Sequence, residues 1–172
     1  MRMFITLALS ALVPVLAPAT WVRANEKEKA DVDADFLTKV IPSIAASVPI
    51  IDYAVRNSSD EKVRDFAERV AKQHKGSLKT ATEHAKRLKV GVVADPDKDS
   101  KEMIDKLSKL KGADVDAAFL KWLSDIHEDT TVFDNEVKNG ADVDLKTYAK
   151  NSIIAGNEHL KEARELLAKM NK

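Results

Sequence analysis

Four histidines, His74, His84, His127 and His159, and the aspartate Asp116 are the residues of this chain best equipped for chemistry. Apolar side chains recurring every three or four residues place His74 in register with Val63, Val70, Leu78 and Ala81, on the inner face of a helix. His159 falls in register with Ser152, Gly156, Ala163 and Leu166 and so also faces inward. His127 borders the inner stripe of a third helix, next to Ile126 and four residues after Leu123, whereas His84 lies nearer an edge. Three inward imidazoles on three helices form a donor set suited to zinc, copper, iron or nickel. The competing expectation is that each is a packed core histidine with its own hydrogen-bond partner. Asp116 shares a face with His127 but lies about 16 Å along the helix, so it is expected as a more distant or separate group.

Other chemistries are poorly supplied. A carboxylate di-iron centre needs Glu-x-x-His on two helices, and here the residues three before the histidines are Ala71, Ala81, Ser124 and Gly156. No Gly-x-Ser-x-Gly elbow or phosphate-cradling glycine loop is present. The absence of cysteine excludes disulfides, thiolate metal sites and a cysteine nucleophile. The basic residues Lys72 to Lys89 read as a solvated helix face, and the aromatics mostly follow core spacing.

The tetrapeptide ADVD stands at residues 30–33, 113–116 and 141–144. No glycine or distal glutamate follows it at calcium-loop spacing. Each copy is expected at a helix start, its first Asp capping free amides and its second lying in the first turn, favourable to the helix dipole by roughly 0.3–1 kcal/mol. A duplicated helix pair is the weaker alternative.

The elements that must hold these residues are helical nearly throughout, with no strand-like alternation. A first helix is expected over residues 33–57, kinked or broken by Pro42 and Pro49. A second runs from a capping box of Ser58 and Glu61 to about Lys89. A loop containing Gly91 and Pro96 leads to a short helix, KEMIDKLSKL, stopped by Gly112 as a left-handed cap. Long helices over about 114–138 and 142–170 complete an all-α four-helix bundle with a short extra helix in the central connection.

Residues 1–24 have the form of a cleaved signal peptide: Arg2, an apolar run broken by Pro14 and Pro18, and a small-residue site at Val22-x-Ala24. A charged linker is expected over 25–32 and the bundle domain over 33–172. Removing residues 1–24 takes two bases and no acid from a chain of 28 of each, which leaves a net charge of −2. Such a domain has no general reason to seek nucleic acid. No transmembrane segment is expected after the signal, and the location implied is periplasmic or secreted.

DADFL, VRDFAERVAKQH ending at His74, LKVGV, KLKGADVDAAFL, DIH at His127 with Phe133 and Glu136 after it, and EHL at His159 together resemble the bacterial domain of unknown function 4142 family. The resemblance covers residues 33–167. It implies a ferritin-like bundle outside the cytoplasm and carries no activity with it. The family pattern puts a Phe-Asp pair and a Tyr near the helix start that here has Val115, Asp116 and Phe119, and a first-helix glutamate where this chain has Ser47. The leading expectation is a non-enzymatic exported bundle that binds an unidentified protein or envelope partner, in a role such as envelope stress. The rival is a transition-metal protein using His74, His127 and His159, with Asp116 more remote.

Overall fold

The computed structural model describes residues 19–92 and 98–170, so residues 1–18 of the expected signal segment and 93–97 of the central connection lie outside it. Six helices and no strand occur among the described residues: α1 (Ala19–Asn57), α2 (Glu61–Leu88), α3 (Lys98–Ser108), α4 (Ala113–Glu128), α5 (Thr131–Asn139) and α6 (Val143–Met170). α1 packs chiefly against α2 and α4 chiefly against α6, while α5 lies on α6 and α1.

α1 starts upstream of the expected position and takes in residues 25–32, because Ala, Glu and Lys favour continuing the helix through them. It also runs through Pro42 and Pro49. Each proline is only partly buried, and core side chains on both sides, from Phe36 to Ala54, hold the helix against a cost of roughly 3 kcal/mol per proline. The stretch Glu26–Asn57 is long and apolar enough to cross a membrane, yet half of its most apolar window is buried within the molecule.

Three other boundaries differ from the periodicity. The cap of α2 is Asp60, which accepts from the amides of Lys62 and Val63, while the Ser58 hydroxyl is buried without a partner. Gly112 opens α4 at φ +57° instead of closing the short helix, which ends at Ser108. The expected third long helix is two helices. Asp129 accepts from the Thr131 amide at 2.8 Å and Thr130 bonds Asp134 at 2.6 Å, so side chains compete with the helical ladder and break it just past His127.

The ADVD copy at 30–33 lies inside α1 and not at a helix start, and the last aspartates of two copies instead bind the segments that precede other helices. Asp116 on α4 is fully buried and accepts from the amides of Ser59 (3.1 Å) and Asp60 (2.9 Å) and the Ser59 hydroxyl (2.6 Å), just before α2. Asp33 on α1 accepts from the amides of Ala141 (2.7 Å) and Asp142 (3.1 Å), just before α6. Only Asp142 acts as expected of a first Asp, accepting from the Leu145 amide at 2.8 Å while Arg87 grips it with two nitrogens at 2.6 and 2.7 Å.

Beside Asp33 lies Glu136 of α5, fully buried, with no donor for either carboxylate oxygen if it is ionised. Burial first, then the Asp33 charge and a hydrogen bond to Asp33, push its pKa up to about 7. A proton on Glu136 removes the repulsion between the two buried carboxyls. A Cβ at Gly140 would lie 2.1 Å from Glu136 Oε1, so only glycine fits over this acid pair.

Two apolar clusters fill the interior. One gathers Ile51, Phe66, Val70, Phe119, Leu120 and Leu123; the other gathers Phe36, Leu37, Ile41, Ala81, Leu145 and Tyr148. Along α2, His74 stands between the Phe66–Ala71 part of the first cluster and the Ala81–Ala85 part of the second. A polar layer therefore interrupts the core.

Candidate metal centre

Three helices supply that layer, His74 from α2, His127 from the last turn of α4 and His159 from the middle of α6. His74 and His159 are buried and His127 is half-buried. One ring nitrogen from each lies within 4.8 Å of the other two. The ring centroids are separated by 5.6 Å (His74 to His127), 5.8 Å (His74 to His159) and 5.0 Å (His127 to His159).

One set of tautomers satisfies the hydrogen bonds around all three rings. Ser47 of α1 donates its hydroxyl proton to the Ile44 carbonyl at 2.8 Å, so it accepts from His74 Nδ1 at 2.7 Å and leaves Nε2 with its lone pair free. Gln73 Oε1 accepts from His159 Nε2, which leaves His159 Nδ1 as an acceptor. Into it points His127 Nε2, at 3.2 Å, carrying the proton. Two of the rings thus already hold their proton on the nitrogen turned away from the triad, as ligated imidazoles do.

All three rings are held neutral. Burial, followed by the nearby His127 and His159, pushes His74 down to about 3. Burial and then His159 push His127 down to about 4, and burial lowers His159 against the opposing pull of Glu158 and Glu162. Neutral imidazole is the form that binds a metal, so the fold has already met the deprotonation requirement.

The dimensions fit an ion. Zinc binds nitrogen at about 2.0–2.1 Å, so tetrahedral ligand atoms stand about 3.3 Å apart. His127 and His159 already have that separation, and the widest pair needs to close by about 1.5 Å. The His127 ring leans on Gly156 of α6, where a Cβ would come within 3.0 Å of Nδ1. A cavity of about 560 Å³ opens onto all three histidines and gives a fourth position room.

Asp116 is not part of this cluster. Its carboxylate is taken up by the amides before α2, and no carboxylate joins the histidines within ligating reach among the described residues. His84 lines the cavity rim, bonded to Arg87 and 5.7 Å from the Tyr148 ring, in keeping with its edge position. Sequence reasoning missed Ser47, Gln73 and Gly156 as supports. Gln73 is next to His74 and yet bonds a different histidine, a pairing only the helix packing reveals.

No curated protein and no solved structure matches the chain. The model of one family does, over residues 19–166, a span that holds all three histidines, Ser47 and Asp116. The chain belongs to the family described as Domain of unknown function (DUF4142).

Proposed function

We propose that this protein is an exported, ferritin-like four-helix bundle that binds a divalent transition metal, zinc above all, through His74, His127 and His159. The observation that carries the reading is the convergence of three neutral imidazoles from three helices, with ligand nitrogens within 4.8 Å of one another. The bland alternative, that each is a separately packed core histidine, predicts separate partners. His74 and His159 do have partners of their own in Ser47 and Gln73, but His127 and His159 also bond to each other, and the three interrupt an otherwise apolar interior. Burying such a polar layer is unfavourable against apolar packing unless something compensates, and an ion does. The fourth position faces a cavity, as in sites that take up an exchangeable ligand, not in closed structural ones. Export and an envelope role rest on the signal-like form of residues 1–24.

The test is metal content by mass spectrometry on protein purified from the periplasm without chelator or histidine tag, with competitive titration of zinc, copper, nickel and iron. About one ion per chain in the parent, and none in His74→Ala/His159→Ala, is the expected result. A metal-free parent that also refuses added zinc would return the histidines to a packing role.

A further inference from the structure

The 560 Å³ cavity is of small-molecule size, and its walls are mixed in a telling way. Ile44, Phe133, Ile153 and Ala155 make apolar surface, while Ser77, Ser152 and Tyr148 supply hydroxyl groups. No lysine or arginine lines it; the only charged side chains there besides the histidines are Asp129 and Asp144, both exposed.

A divalent ion held by three neutral imidazoles keeps its full double charge. In an apolar surround an uncompensated charge is strongly unfavourable, and the protein offers no carboxylate ligand within reach. An anion from outside, bound beside the three imidazoles, would balance that charge. Hydroxide would meet the charge and leave the apolar wall unfilled. We infer that the cavity takes a small organic monocarboxylate, its carboxylate on the metal and its apolar tail against Ile44, Phe133 and Ile153. This rests on the metal reading above, and it requires the ion: without it, an anion in this cavity meets no lysine or arginine and two acids.

Tyr148 lines the same cavity, its hydroxyl bonded to the Ser77 hydroxyl at 2.7 Å and reaching the Ser77 carbonyl at 3.4 Å. Burial also raises the Tyr148 pKa, so the phenol stays protonated.

Cobalt(II)-loaded protein reports the fourth ligand through its visible spectrum. Benzoate, hexanoate, acetate and the neutral benzyl alcohol are titrated in turn, and benzoate binding to metal-free protein is followed by saturation-transfer NMR. The expected result is a saturable spectral change with benzoate and hexanoate at concentrations at least tenfold below acetate. Benzyl alcohol should give none, and metal-free protein should bind no benzoate. Ala155→Phe, which fills the apolar end, should bind cobalt normally and lose the preference over acetate. Cobalt that binds but responds equally to acetate and benzoate would overturn the inference and leave the metal site standing. Failure to bind cobalt or zinc at all would overturn both.

Discussion

His127 holds the one proton that is out of place for a metal. Its Nε2–H is given to His159 Nδ1, so ligation moves that proton to Nδ1, on the side of Gly156, whereas His74 and His159 need no change. Support from outside the triad should therefore be measurable one residue at a time. Ser47→Ala removes the acceptor that fixes His74 and is expected to weaken zinc binding about 10- to 100-fold, as loss of such outer partners does. An unchanged affinity in a chelator competition assay would show that packing alone sets the ring. Gly156→Ala brings a methyl to 3.0 Å from His127 Nδ1. The half-buried ring must give by a few tenths of an ångström, so zinc should weaken without loss of a ligand, while the far-ultraviolet circular dichroism stays that of the parent.

At the scale of the helices, the ADVD aspartates tie one element to the start of another. Asp116→Ala removes a buried carboxylate acceptor from the amides of the exposed residues Ser59 and Asp60 and is expected to destabilise by about 1.5–3 kcal/mol, charged acceptors being the stronger kind. Its zinc affinity per folded molecule should match the parent, and calorimetry beside titration separates the two effects. Asp33 makes the equivalent tie to α6 and lies beside Glu136 of α5, whose pKa its charge raises. Facing that pair are Lys146 and Asp142, with Arg87 of α2 holding Asp142.

Glu136 titrates near 4.5 when unfolded and about 7 when folded, so its contribution to stability is complete below pH 4.5 and is lost as pH rises through 7. At pH 8 the loss is on the order of 3 kcal/mol. The depressed histidines act in the opposite direction, their penalty growing as pH falls below 6.5. The clean measurement is therefore the melting temperature of metal-free parent minus Glu136→Gln from pH 5 to 8. That difference should fall as pH rises; a flat difference would mean that Glu136 carries no proton into the fold.

For the molecule as a whole, an ion at the triad would join α2, α4 and α6 at the level where the two apolar clusters part. Zinc in hundredfold excess over its dissociation constant should raise stability by about 2.7 kcal/mol, visible as a rise of several degrees in melting temperature. The metal-free variant His74→Leu/His127→Leu/His159→Leu is expected to melt at or above the metal-free parent, because it replaces a buried polar layer with apolar packing. It should show no response to zinc. A variant melting far below the parent would identify the imidazole layer as part of the structural core.

Composition and periodicity by themselves determined that the chain is helical, that His74 and His159 face inward and that His84 sits at an edge. Apolar spacing states which way a side chain points around its own helix, and it did so correctly for these residues. Family membership was legible too, in the order of short stretches from DADFL to EHL. Height along one helix relative to the next is not written in that spacing. It follows from the stagger set by core packing, and that stagger brought three histidines from separate helices to one level and left Asp116 at the entrance of α2. Side chains reaching between elements decided the remaining boundaries. Asp116 moved the α2 cap from Ser58 to Asp60, and Asp129 with Thr130 split the third long helix, because these contacts join residues whose meeting no local pattern records.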